Sequence, residues 1–150
     1  MHLSHYTSKE LELANAIFID LNPFLATPNS LYPNFKFWTK KILLGLSVGS
    51  RSLLVAHHNN KIAGFSILKH TKQENKICTF YINKNFRHCG VGHQLMNESL
   101  TVLNYDAIIS VNEKLVYEMW PLLNQFKFYN YEVKHNFYFL NSSEYFFRTY

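Results

Sequence analysis

The sequence has few cysteines and no long apolar run. Its two cysteines, Cys78 and Cys89, are too few for a disulfide framework and suit a reducing compartment, so we expect a cytoplasmic protein. No segment approaches the run of about eighteen apolar residues that a membrane-spanning helix needs. The polar N-terminus, MHLSHYTSKELE, lacks the apolar stretch of a signal peptide. We therefore expect no membrane partner.

Arginine is also scarce, although the chain is basic. Fifteen Lys and Arg against ten Asp and Glu give a net charge of +5, but only Arg51, Arg87 and Arg148 are arginines. A duplex-binding domain usually clusters its basic residues on one surface, whereas the lysines here are scattered from Lys9 to Lys134. A nucleic-acid-binding domain is an alternative that rests on net charge and abundant aromatic residues alone. We therefore expect no nucleic-acid partner.

Apolar residues, in contrast, are plentiful enough for a real core. They make up 47% of the 150 residues, and aromatic residues make up 17%. This length is near the usual size of one domain. No repeat, low-complexity tract or Gly/Ser linker divides the chain. We therefore expect a single domain over residues 1–150.

The hydrophobic period changes along the chain from helical to alternating. A capping box at Thr7 and Glu10 predicts a helix start, and Asn59-Asn60 suits a hairpin turn because Asn tolerates positive φ. The predicted elements are a strand at 1–6, a helix up to Pro23, a loop over 22–33, a helix from Phe35 through Leu46 closed by Gly45 or Gly49, strands at 52–57, 61–70 and 76–83, a helix after 87–92, a strand at 107–111, a helix at 115–126, an alternating strand at 129–139 with one apolar face, and a return strand at 144–150. Hairpins followed by strands alternating with helices predict an α/β (α+β) fold, a mixed sheet of about seven strands flanked by about four helices.

The segment most informative about function is the turn RHCGVG at 87–92, between the strand at 76–83 and a helix. A helix N-terminus carries free N–H groups and about half a positive charge. Glycines at 90 and 92 allow a bulky anion to approach the backbone. The turn lacks the Lys-Ser/Thr ending of an NTPase loop and the third glycine of a dinucleotide fingerprint. It therefore predicts a phosphate site of another kind.

Residues 87–92, placed after the fourth strand, resemble the R/Q-x-x-G-x-G/A pyrophosphate loop of the GNAT superfamily of N-acetyltransferases. The order of strands and helices over essentially the whole chain is similar to that superfamily's order. The resemblance implies acetyl-CoA as co-substrate and direct attack of a small-molecule or peptide amine on the thioester between the fourth and fifth strands. It also implies that main-chain groups of Phe80, Tyr81 and Ile82 pair with the pantetheine arm, and that free N–H groups near Ile82 polarise the carbonyl. The implied pyrophosphate site comprises Arg87, His88, Cys89, Gly90, Val91, Gly92 and His93.

The catalytic pattern of that superfamily is only partly present. When Lys127-Phe128 is aligned with its closing Gly-Phe, Leu123 stands where a tyrosine usually reprotonates the CoA thiolate, and Val116 stands where an asparagine is usual. Glu113 is the carboxylate nearest to the superfamily's glutamate at the end of the fifth strand, and it is the candidate base. Tyr117 is the candidate acid.

Two alternatives remain at this stage, and a third, a zinc site, is not favoured. The missing Asn and Tyr equivalents favour an inactive acyl-CoA-binding sensor or regulatory module as the second function. The pairs His57-His58 and His88-Cys89 lack the spacing of a zinc site, so we expect no metal. Aromatic residues between Tyr129 and Phe147 could be core on one face, or could line an acceptor groove or a homodimer contact.

Overall fold

Seven strands form one mixed sheet in the computed structural model, which describes residues 1–25 and 35–149. The strands are β1 (His2–Tyr6), β2 (Arg51–His58), β3 (Lys61–His70), β4 (Asn75–Ile82), β5 (Ile108–Asn112), β6 (Tyr129–His135) and β7 (Ser143–Arg148). The helices within the described ranges are α1 (Leu11–Asp20), α2 (Asn22–Leu25), α3 (Phe35–Val48), α4 (Val91–Val102) and α5 (Val116–Gln125). The sheet order is β1-β2-β3-β4-β5-β7-β6, with only β4 and β5 parallel. The predicted α/β fold is confirmed, with five helices in the described residues rather than about four.

The β2–β3 hairpin follows directly from local signals. Asn59 and Asn60 both have positive φ, 50° and 62°, the conformation that a two-residue turn of this hand requires. Leu53, Leu54 and Val55 are all buried, because β2 lies inside the sheet with both faces covered. The predicted bounds of β3 are confirmed residue for residue.

Two apolar layers cover the sheet. On one face, α1 and α3 pack over β2 and β3; on the other, α4 and α5 pack over β3, β5 and β7. The first layer includes Phe18, Ile42, Leu46, Phe65 and Ile67; the second includes Leu68, Leu95, Leu100, Leu123 and Phe147. In the described residues no helix covers β5, β7 and β6 on the α1–α3 face. No helix within those residues is long and apolar enough to cross a membrane.

One prediction for the first half of the chain needs a correction. The capping box is confirmed, because Thr7 Oγ1 accepts from the Lys9 N–H at 3.2 Å and a Glu10 carboxylate oxygen accepts from the Thr7 N–H at 3.3 Å. The expected loop at 22–33 is wrong at its start, since Asn22–Leu25 is helical; proline in a first helical turn needs no N–H acceptor. The rest of that loop, 26–33, lies outside the described residues. α3 closes at Gly49, with φ +83°, while Gly45 lies inside the helix.

The alternating strand predicted for 129–139 ends earlier, at His135. Asn136 adopts φ +56°, its N–H bonds to the Ser142 carbonyl at 2.9 Å, and its side-chain oxygen accepts from the Asn141 N–H at 2.6 Å. These bonds turn the chain back, so the alternation beyond Asn136 belongs to the connection between β6 and β7. The apolar face of β6 is not core either: Tyr131 is 37% exposed.

The end of α5 stores strain at Lys127, whose φ is +62°. The Phe128 N–H bonds to the Leu123 carbonyl at 2.9 Å and the Lys127 N–H to the Asn124 carbonyl at 3.1 Å, the bonding pattern of a helix end that usually carries glycine. We expect Lys127→Gly to raise the free energy of unfolding by about 1 kcal/mol, measured by urea denaturation. Lys127→Ala keeps the strained conformation without the charge. An equal gain in that variant would contradict the explanation.

Candidate acetyl-CoA site

The neighbouring strands β4 and β5 separate after a short paired stretch. Their pairing comprises Lys76 with Ile108 and Ile77 with Ile109. Cys78 is an extra residue in β4 relative to β3, a bulge that bends the strand where pairing ends. Beyond it lies a cleft of about 120 Å³. It is lined by residues 77–80 of β4, 109–112 of β5, and by Leu115, Met119, Tyr138 and Glu144.

Main-chain groups of β4 face this gap. The Asn83 N–H bonds to the Ala63 carbonyl of β3 at 2.8 Å. Main-chain groups alternate sides along a regular strand, so those of Phe80 and Ile82 point away from β3, towards β5. Those of Tyr81 point towards β3, and its ring stacks on Phe65 at 5.2 Å. The gap side of β4 therefore offers donors and acceptors to an extended ligand at two of the three predicted pantetheine positions.

The turn after β4 presents a helix N-terminus. His88 and Gly90 both have positive φ, 62° and 81°, and Gly90 is the N-cap of α4 without any side-chain cap bond. The Gln94 N–H bonds to the Gly90 carbonyl at 3.1 Å. The three preceding N–H groups, of residues 91–93, therefore have no acceptor within the helix. This arrangement suits an anion such as a pyrophosphate.

The two glycines of the turn have different roles. Gly90 needs its positive φ, with nothing within 4 Å of a Cβ placed there. Gly92 has room for a Cβ, since the nearest atoms, Ile82 Cγ1 and Leu122 Cδ2, would lie 3.8 Å away in ordinary contact. Nothing in the described residues therefore demands glycine at position 92. Close approach of a ligand is the physical reason that remains.

Charged and ring groups surround the mouth of the turn. Arg87 forms an ion pair with Glu118 at 3.7 Å, and both side chains are at least half exposed. The rings of His93 and Phe126 lie 4.9 Å apart. Among the described residues, no group of three His, Cys, Asp or Glu could hold a metal ion. Exposed and weakly paired, Arg87 is free to exchange its partner for a phosphate.

The structure does not bring the two candidate catalytic residues into the cleft. Glu113 is exposed, and a carboxylate oxygen accepts from the Ser143 N–H at 3.3 Å. Tyr117, in the first turn of α5, is 92% exposed. Leu123 is fully buried in the core, and α5 presents Met119 to the cleft instead. The two roles stay predictions.

Sequence reasoning missed Glu144, whose side chain lines the cleft and is 7% exposed. Burial raises the pKa of its carboxyl, while hydrogen bonds with Ser110 and Asn112 and the charge of Lys76 act in the opposite direction. A signal was available, because Glu144 stands two residues before the buried Phe146, on the same face of the strand. What the sequence lacked was the position of β7 beside the gap.

Comparison with known proteins agrees with this geometry. Among solved structures, the chain is similar to a ribosomal-protein-alanine N-acetyltransferase from Brucella melitensis, with a TM-score of 0.68 and 14% identity over 99% of both chains. A GNAT family acetyltransferase from Elizabethkingia anophelis with acetyl-CoA bound has a TM-score of 0.63 and 17% identity, over 76% of this chain and 82% of that chain. An aminoglycoside 6'-N-acetyltransferase complexed with coenzyme A has a TM-score of 0.69 and 10% identity, over 99% and 96%.

These similarities show the fold, and a match to a family model shows the family. No curated protein matches the sequence significantly. The model described as an acetyltransferase (GNAT) domain matches residues 29–117, more than half of the chain. That match spans α3, the strands β2, β3 and β4, the turn at 87–92 and β5. The chain belongs to the GNAT acetyltransferase family.

Proposed function

We propose that this protein transfers the acetyl group of acetyl-CoA to an amine by direct attack of the amine on the thioester. The observation that carries the proposal is the continuity of three features. The free N–H groups at residues 91–93 suit the pyrophosphate, the open main-chain groups of Phe80 and Ile82 suit the amide-containing arm, and the β4–β5 cleft lies further along the same strand. Their order along β4 matches the order of chemical groups along CoA.

The acceptor class we propose is a small-molecule or peptide amine. Support comes from two relatives of the same fold, one named for an aminoglycoside and one for a ribosomal-protein alanine. The sheet face above β5, β7 and β6 carries no helix within the described residues, and Phe137 and Tyr138 of the β6–β7 connection would border either acceptor there. We also propose the cytoplasm as its location, since neither Cys78 nor Cys89 forms a disulfide.

A second candidate function is acyl-CoA sensing without turnover. Leu123 in place of the usual tyrosine favours it, as do the positions of Glu113 and Tyr117 outside the cleft. The two functions share the binding site and differ only in chemistry. Binding and turnover must therefore be measured separately.

Calorimetric titration of acetyl-CoA and CoA, followed by a panel of amines with detection of released thiol, tests the proposal. We expect micromolar binding of both and thiol release with at least one class among N-terminal peptides, polyamines and aminoglycosides. Binding without release for any amine would favour the sensor. No binding by the folded protein would refute both functions.

A further inference from the structure

A carboxyl group lies inside the cleft, at Glu144 of β7. Its side chain lines the gap together with Ser110 and Asn112 of β5, and only 7% of the residue is exposed. Glutamates this buried are rare unless an opposite charge compensates them. Within the described part of the chain, no Lys, Arg or His lies within ion-pair distance of this carboxylate. Neutral groups are its direct partners.

The ammonium groups nearest to Glu144 contact other side chains. Lys134, directly across from Glu144 on β6, holds its ammonium over the rings of Phe137 and Phe146, at 4.7 and 4.9 Å, and 3.9 Å from a Glu132 oxygen. Lys76 of β4 lies 3.5 Å from the Tyr138 hydroxyl. The remaining titratable group of the lining is Cys78 on β4, beside the Arg51 guanidinium at 3.0 Å. Glu144 is therefore the only carboxyl among the residues that line this cleft.

Its side of the sheet carries the β6–β7 connection, with the Phe137 ring 5.3 Å from the Phe146 ring and Tyr138 in the lining of the cleft. Phe147 packs into the core under α4 and α5, so Glu144 and Phe146, which are out of phase with it along β7, face the opposite side. There, in the described residues, no helix covers β5, β7 and β6. The CoA path begins at α4, on the covered side, and reaches the gap along β4. An amine that enters past the β6–β7 connection and a thioester that arrives along β4 would meet beside Glu144.

We propose that Glu144 is the group that takes the proton from the acceptor amine. This inference rests on the proposed acetyl transfer. An acceptor ammonium gives one proton to the Glu144 carboxylate, and the free nitrogen lone pair forms a bond to the acetyl carbon. The carbon–sulfur bond breaks, its electron pair stays on the CoA sulfur, and the second nitrogen proton ends on that sulfur. Glu144 then releases its proton to water, and no oxidant or other reactant is needed.

The burial of Glu144 beside the cleft suits a general base. Burial raises the pKa of the carboxyl, and a base works best when its pKa approaches the working pH. Activity is then low where Glu144 is protonated and increases as the pH rises through its pKa. The same shift has a stability consequence with a defined sign. The folded state holds the proton more tightly than the unfolded state, so stability falls as the pH rises from the ordinary glutamate range through the folded-state pKa.

Glu144→Gln tests the role, because an amide keeps the shape and hydrogen bonding but cannot accept the proton. We expect kcat to fall by about 100-fold or more and the acidic limb of the pH–rate profile to disappear. The Kd for acetyl-CoA should stay within about twofold, and the melting temperature at pH 7 should not fall. Glu98→Gln, on α4 at the opposite face of the sheet, is the matched control and should keep wild-type kcat.

Two results overturn the proposal. One is a Glu144→Gln enzyme that keeps wild-type kcat and its acidic limb while Glu113→Gln loses both. The other comes from an NMR titration that needs no acceptor, on protein with ¹³C-labelled glutamate carboxyls. The Glu144 signal is assigned from its absence in Glu144→Gln. We expect its pKa to lie above about 4.3, the ordinary value for glutamate. A pKa at or below this ordinary value refutes the role of Glu144 as the base, even if no amine of the panel reacts. Failure of acetyl-CoA binding in wild-type protein refutes the proposed function instead.

Discussion

Gly92→Glu is expected to weaken acetyl-CoA binding by at least about 100-fold while leaving the fold intact. The substitution places a carboxylate at the second residue of α4, where the free N–H groups of residues 91–93 would otherwise meet the pyrophosphate. A Cβ there needs no shift of its neighbours, since it would lie 3.8 Å from the nearest atoms. An acidic residue in a first helical turn stabilises the helix by about 0.3–1 kcal/mol. Calorimetry with acetyl-CoA and a thermal melt of the same sample measure both effects.

Two further variants at the same position separate charge from bulk. Gly92→Gln has the shape of the glutamate without its charge and should lose less affinity. Gly92→Ala adds only a methyl group and should stay within about tenfold of wild type, or about 1.4 kcal/mol. If Gly92→Glu binds acetyl-CoA as tightly as wild type, the N-terminus of α4 is not the pyrophosphate site.

Phe65→Ala is expected to lower the free energy of unfolding by about 3–5 kcal/mol. Phe65 is fully buried on β3, and its ring stacks on Tyr81 at 5.2 Å and lies 6.2 Å from Phe24. Truncation removes apolar contacts with β4 and α2 and leaves a cavity that close-packed neighbours cannot fill. Urea denaturation monitored by far-UV circular dichroism gives the difference between the two proteins.

The control for that change is another phenylalanine that the fold leaves in solvent. Phe37, in the first turn of α3, is 63% exposed, so Phe37→Ala should alter stability by about 0.5 kcal/mol or less. Similar losses of unfolding free energy in both variants would mean that burial of the ring does not determine its contribution to stability. A loss below about 1 kcal/mol for Phe65→Ala would place that ring outside the cooperative core.

The elements predicted well are those whose signals are local. β2 and β3 are apolar runs around two asparagines with positive φ, so composition and turn chemistry alone define the hairpin. The capping box at Thr7 and the glycine turn before α4 are equally local. The strand predicted at 129–139 was too long because the apolar alternation continues past Asn136. There, a hydrogen bond from the Asn136 N–H to the Ser142 carbonyl turns the chain towards β7. Such bonds depend on a partner strand that the pattern of one segment does not contain.

The candidate site divides in the same way. The predicted pyrophosphate turn is one continuous segment, and its position after the fourth strand was visible in the sequence. The cleft is assembled from β4, β5, α5 and β7, and Glu144 is 65 residues away in sequence from Thr79, which lines the same gap. Only the sheet order, with β7 inserted between β5 and β6, brings that carboxyl to the cleft. Glu113 was the predicted base because it is the carboxylate nearest to the end of the fifth strand, but it lies at the surface.

The brief pairing of β4 and β5 also divides the sheet into two parts, β1 to β4 on one side and β5, β7 and β6 on the other. Eight residue pairs join β2 to β3, but two join β4 to β5, and each part is nearly continuous in sequence. The edges that face the gap carry main-chain groups without a strand partner. A ligand that bonds to both edges acts as a guest strand, so its binding energy is added to the cohesion between the parts. A ligand bound in this gap would therefore add main-chain bonds between two parts of the sheet that otherwise share two residue pairs and the apolar core beneath them.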